Sequence, residues 1–155
     1  MIPTKLKLLL LSSSLIIALT ACTTYKEYNE DAFPNYAWEP NQIVTFKPNI
    51  EDIDKIYRMG FGMRHVYGLA NNSINITVRS TSPSGKTAVS DYDFMIMDKD
   101  GDYLGSCAGD MCDLESFVSE YLKFDEPGEH IFELTYNGKY RVSGVTAIGL
   151  IIDEK

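Results

Sequence analysis

The sequence predicts an all-β chain, an antiparallel two-sheet sandwich of jelly-roll type, forming one domain behind a lipidated N-terminal tether. Three observations predict it. Apolar residues alternate with period two in several separate segments, turn signals stand between those segments, and no long stretch carries a helical repeat. The alternation is visible in Val44/Phe46, Tyr57/Met59/Phe61/Met63, Ile74/Ile76/Val78, Phe132/Leu134/Tyr136 and Ile148/Leu150/Ile152. Side chains of a strand point to opposite faces in turn, so each run marks one buried face, and β-branched and aromatic residues suit that surface. The turns are read from Ser82-Pro83-Ser84-Gly85, Asp98-Lys99-Asp100-Gly101, Glu126-Pro127-Gly128 and Asn137-Gly138. A single helix candidate spans Asp113 to Leu122, with Asp113 as N-cap, although Phe117, Val118, Tyr121, Leu122 and Phe124 fit a strand nearly as well.

Ahead of the body lies a segment of different composition. Residues 1–21 carry Lys5 and Lys7, no acid and no aromatic, with an apolar stretch from Leu8 to Leu19. This reads as a secretory signal, too short for a membrane span, which needs roughly 20 apolar residues. Leu19-Thr20-Ala21-Cys22 resembles the bacterial lipobox, which implies cleavage before Cys22 and acylation of its thiol. The expected organisation is a signal peptide over 1–21, a tether over 22–32 and a β-sandwich over 33–155. Thr23 in place of an aspartate after the cysteine implies sorting to the outer membrane, with the periplasmic face favoured over the surface.

The chain of 155 residues has a formal charge of −8; without Lys5 and Lys7 the body holds 12 bases against 22 acids, a charge of −10. Such acidity speaks against nonspecific binding to nucleic-acid phosphates and against electrostatic attachment to anionic lipids. Attachment to the membrane is therefore expected through the N-terminal lipid alone.

Candidate chemistry is sparse. In an exported protein the economical reading of Cys107 and Cys112 is a disulfide closing a short loop. Asp98, Asp100, Asp102 and Asp110 form the densest acidic stretch and offer oxygens as calcium requires, but the EF-hand glycine and glutamate are missing, so an Asp-Gly turn with solvated carboxylates is the preferred reading. His65 and His130 belong to no hydrolase or metalloprotease signature, so no catalytic residue, metal or cofactor is assigned and no small-molecule substrate is identified. Trp38, Tyr36 and Phe33 cluster near the anchor. They are either contacts for a protein partner or a glycan, or packing of the first strand onto the core.

The order of motifs carries a resemblance. The lipobox, Tyr28 with Phe33-Pro34-Asn35-Tyr36-Ala37-Trp38, Pro83-Ser84-Gly85-Lys86, Asp98 to Tyr103-Leu104-Gly105, Gly109-Asp110, Phe124 with Pro127-Gly128 and Val142 to Leu150 together resemble the GldH-type gliding-motility lipoproteins of the Bacteroidota. The resemblance implies a noncatalytic accessory lipoprotein that contacts motility or envelope proteins, with Cys22 as the lipid-bearing residue. A glycan-binding surface lipoprotein using exposed aromatics is the alternative.

Overall fold

The computed structural model describes residues 25–155. Every regular element among them is a strand: β1 (Tyr25–Asn29), β2 (Ala37–Trp38), β3 (Ile43–Phe46), β4 (Asn49–Ile50), β5 (Tyr57–Val66), β6 (Ser73–Thr81), β7 (Thr87–Met95), β8 (Ser106–Ala108), β9 (Met111–Leu122), β10 (Gly128–Glu129), β11 (Ile131–Tyr136), β12 (Val142–Ser143) and β13 (Val145–Glu154). The signal segment 1–21 and Cys22 lie outside the described residues.

One sheet runs β1-β13-β5-β9-β8 and the other β3-β11-β6-β7, with two-stranded ribbons β10-β4 and β12-β2 beside them. The antiparallel partners nest. β6 pairs β7, β5 pairs β9, β3 pairs β11 and β1 pairs β13, so the chain behaves as one long hairpin wrapped over itself. That nesting is the double Greek key of a jelly roll, the fold class the alternation predicts.

The alternating residues meet between the sheets. Met59, Phe61 and Met63 of β5 and Ile148, Leu150 and Ile152 of β13 face Ile74, Ile76 and Val78 of β6 and Phe132, Leu134 and Tyr136 of β11, all buried in one cluster. Burying each such side chain contributes about 1.5–3 kcal/mol. The turn Ser82 to Lys86 closes the β6–β7 hairpin, where the Lys86 carbonyl accepts from Ser82 N–H at 2.8 Å. β7 has no run of alternating apolar residues and is mostly exposed; as an edge strand it needs only one neighbour and buries mainly Phe94.

Two expectations are corrected. The helix candidate from Asp113 to Leu122 is part of β9, because Cys112 and Leu114 point inward opposite His65 and Met63 while Asp113 and Glu115 point outward. Pairing along the whole of β5 satisfies its backbone and overrides a weak cap. The expected tether over 22–32 is drawn into the sheet from Tyr25 onward, since β1 pairs with β13 in register from Tyr25 to Asn29. The folded body thus includes β1 from Tyr25 onward, ahead of residue 33.

What holds β1 is a tyrosine laid across two glycines. Tyr28, Gly149, Gly62 and Glu115 form one row across β1, β13, β5 and β9. A Cβ on Gly62 would stand 2.1 Å from the Tyr28 hydroxyl oxygen, and one on Gly149 3.0 Å from its ring. With no side chains in the way, the ring reaches Glu115, whose Oε1 accepts from the hydroxyl at 2.7 Å and also meets Lys26 Nζ at 2.5 Å. Burial, and then the bond to Glu115, push the Tyr28 phenol above its usual range.

The same cluster has a pH signature. The Lys26 ammonium, and with it the Tyr28 hydroxyl, hold the Glu115 carboxyl below its ordinary value despite partial burial. A depressed folded value means that the contribution is present above the unfolded glutamate value, about 4.3, and is lost as pH falls through the folded one. Glu115 is 43% exposed, so water screens the pair and the loss should stay below about 1 kcal/mol. Glu115→Gln is expected to flatten the acid limb of thermal stability below about pH 4.3. Superimposable curves for the two proteins would remove this pair as a source of acid sensitivity.

Candidate functional site

At the end of the five-stranded sheet where β1 ends and β13 begins, the chain from Glu30 to Trp38 folds back over the sheet. Asn29 Oδ1 accepts from Ala32 N–H at 2.9 Å, Glu30 O from Phe33 N–H at 2.9 Å, and Phe33 O from Tyr36 N–H at 3.0 Å, which makes two consecutive turns around Pro34. Trp38 anchors them. It is fully buried, edge-on to Phe33 at 6.0 Å and tilted on Tyr136 at 5.9 Å, and its indole N–H donates to Gln42 O at 3.3 Å. Gln42 in turn donates to Ala32 O at 2.6 Å and accepts from Glu39 N–H, closing the loop on itself.

Tyr36 is presented by that anchor and faces the other way. It is 63% exposed and has φ of 50°, a left-handed conformation that costs a bulky residue about 1–3 kcal/mol. Its carbonyl accepts from Gly144 N–H at 2.6 Å, extending the β2–β12 ribbon and fixing the conformation.

Beside Tyr36 lies an open groove of about 540 Å3 lined by Glu30, Phe33, Pro34, Arg64, Val66, Met111 and Thr146. Pro34, Val66 and Met111 make it apolar above the buried Phe33; the rim is charged. Arg64 donates through Nε to Asp113 at 2.7 Å and through Nη1 to Glu30 at 3.1 Å, so its guanidinium is spread between two carboxylates. Thr146 Oγ1 donates to Arg64 O at 3.1 Å. Counting Arg64, Glu30 and Asp113, the rim is net negative. An apolar floor, an exposed ring on a fixed backbone and a charged rim suit an inserted peptide side chain, and among the described residues the groove has no nucleophile paired with a base.

The other predicted residues are dispersed. Of the three aromatics assigned to partner or glycan contact, only Tyr36 is at the surface. Trp38 is 0% and Phe33 1% exposed, which corrects their assignment: both are core, and no stacking platform for sugars forms from the three. Cys107 and Cys112 are joined by a disulfide across the β8–β9 hairpin, where they are register partners with Cα atoms 4.0 Å apart. Asp98 closes its own turn, its Oδ1 accepting from the N–H groups of Asp100 at 2.8 Å and Asp102 at 3.0 Å. His65 and His130 are buried; His65 packs on the Tyr103 ring at 5.0 Å, with Nδ1 2.9 Å from Val66 O. Tyr103 closes that end of the core, donating to Leu69 O at 2.8 Å.

Arg64, Glu30 and Met111 escape a reading of the sequence. Their only signal is period: Arg64 occupies the outward phase of the Tyr57 to Met63 alternation, and nothing in the chain announces that residues 30, 64 and 111 become neighbours.

The motifs gathered at this end, Phe33 to Trp38, Tyr103 and Val142 onward, lie within residues 23–152, which match the sequence model of the GldH lipoprotein family. The chain belongs to the GldH lipoprotein family. It is similar to the gliding motility lipoprotein GldH of Flavobacterium johnsoniae, with 25% identity over 145 residues, covering 90% of this chain and 91% of that one. A GldH homolog of Christiangramia forsetii is 21% identical over 147 residues, covering 90% of each. Among solved structures, CBM35 from Cellvibrio japonicus Abf62 overlaps 72% of this chain and 66% of its own at a TM-score of 0.33 and 10% identity. TmCBM61, solved with β-1,4-galactotriose, overlaps 85% of each chain at a TM-score of 0.30 and 10% identity. The jelly roll of this GldH-family chain rests on its own strand pairing.

Proposed function

We propose that this GldH-family chain is a noncatalytic lipoprotein, anchored through Cys22 in the outer membrane with its body in the periplasm. In this reading it serves the gliding-motility or a related envelope machinery through protein contacts at the Tyr36–Arg64 groove. The supporting observation is the pairing of a buried Trp38 with an exposed Tyr36 held at positive φ beside an apolar groove. Strain of this kind persists where surrounding structure enforces it, and it clusters at sites of binding. The relatives' names, gliding motility lipoproteins, supply the machinery; the net negative rim suits a partner segment that brings an apolar side chain flanked by a base.

Tyr36→Gly separates folding from function. Glycine adopts positive φ freely, so the substitution is expected to leave stability unchanged or raise it by about 1 kcal/mol. Crosslinking in the native envelope followed by recovery of the lipidated protein should then yield a partner with wild-type protein and much less of it with Tyr36→Gly. Equal recovery would place the contact elsewhere.

The anchor has its own test. Cys22→Ser is expected to accumulate as the unprocessed precursor without acyl mass; recovery of a mature, acylated Cys22→Ser protein would exclude Cys22 as the attachment residue.

A further inference from the structure

We infer that the sandwich rests end-on on a lipid surface through Ile53, Ile56 and Tyr121, which turns the Tyr36–Arg64 groove away from the bilayer. The inference rests on the reading of Cys22 as the acylated residue, and it adds which surface of the fold meets the membrane. Cys22 precedes Tyr25 by three residues, so its Cα lies within about 11 Å of the first residue of β1, however those three residues run.

Tyr25, Ile152, Met59 and Ser119 form one row across β1, β13, β5 and β9. Beyond that row stand three exposed apolar residues, two in the loop before β5 and one on β9. Ile56 is 36%, Ile53 39% and Tyr121 75% exposed. Lys155 ties two of them together, its N–H donating to Ile56 O at 2.9 Å and its ammonium standing 4.3 Å above the Tyr121 ring. Tyr57 folds the third into place, its hydroxyl donating to Asp52 O at 2.7 Å beside Ile53.

From Ile152 to Thr146, at the groove, β13 runs six residues, about 20 Å. A tether of three residues therefore keeps Ile53, Ile56 and Tyr121 at high local concentration against lipid and holds the groove away from it. Tyrosine and aliphatic side chains beside lysine stems are the composition that settles at the headgroup boundary.

Charge contributes little to this contact. Lys55 pairs with Glu154 and Lys155 with Glu120, and Glu51, Asp52 and Asp54 flank Ile53 along the chain, so there is no cationic excess to draw anionic headgroups. The surface that fits is zwitterionic, touched by apolar side chains and insensitive to salt.

The test places tryptophan at each end of the full-length lipidated protein: Ile53→Trp and Tyr121→Trp at the proposed contact, Tyr36→Trp at the groove. Trp38 is buried and gives a common background. Each protein is reconstituted in vesicles of phosphatidylethanolamine and brominated phosphatidylcholine, with acylation checked by intact mass and attachment by flotation. Quenching of the added fluorescence at positions 53 and 121 by about twofold or more, with none at 36 and no change in high salt, is the expected result. Acylated, floating protein with equal quenching at both ends, or at 36 alone, would overturn the orientation while leaving the anchor intact. Protein without acyl mass that fails to float would overturn both.

Discussion

Trp38→Ala is expected to cost about 3–5 kcal/mol, the range for emptying a fully buried indole site. The side chain is at 0% exposure between Phe33 and Tyr136, and its removal also frees Gln42, whose carbonyl accepts the indole N–H and whose side chain pins Ala32 and Glu39. The loop from Glu30 to Gln42 would lose the larger of its two buried rings, Phe33 being the other. Against a total stability of about 5–15 kcal/mol for a domain of this size, such a loss is severe. Denaturant midpoints should fall accordingly, and Trp38→Phe, which keeps an aromatic ring but loses the N–H, should fall between. A cost under about 1 kcal/mol for Trp38→Ala would mean that Phe33 and Tyr136 close the gap and that the loop does not depend on the indole. Because Tyr36 is displayed by the same loop, the groove should be lost together with the core contact.

The second large effect is expected at Gly62. Valine is favoured over glycine in strands, so propensity alone predicts that Gly62→Val stabilises β5. The Tyr28 ring reverses that sign. A Cβ at residue 62 would stand 2.1 Å from its oxygen and 2.3 Å from Cζ, so the ring must leave the outer face and with it the hydrogen bond to Glu115. A loss of about 2–3 kcal/mol is expected, as for other buried overpacking. A double-mutant cycle isolates the cause: in a Tyr28→Ala background, Gly62→Val should cost at least about 1 kcal/mol less than in the wild type. Additive costs would show that Tyr28 is not what Gly62 accommodates. With Tyr28 displaced, β1 keeps its pairing with β13, the Lys26–Glu115 ion pair and the Tyr25 hydroxyl that accepts from Lys47 N–H, so the loss falls on the ring and its hydrogen bond.

Legibility differs between these two places for a physical reason. The core strands announce themselves because period-two alternation is a local property, and the Phe61 and Leu134 phases can be read within six residues of chain. β7 and β1 cannot be read that way. Each is an edge strand with one neighbour, and its partner, β6 or β13, supplies the pairing that its own side chains do not advertise. The disulfide candidate is local as well, since its two cysteines belong to one hairpin. Glycine at 62 and 149 carries no sign of its purpose, because the ring that needs the space comes from residue 28.

The sequence by itself determined the strand phases, the turns that separate them, the acidity of the body and the family to which the chain belongs. All of these depend on residues close together in the chain or on their order along it. Only the tertiary structure decided which aromatics are core and which are surface. Phe33, Tyr36 and Trp38 are near neighbours of one residue class, and what separates them is the packing of Trp38 on Tyr136 and the bond from Gly144 to the Tyr36 carbonyl. Those contacts join segments about a hundred residues apart, which only the nested pairing of the jelly roll brings within reach.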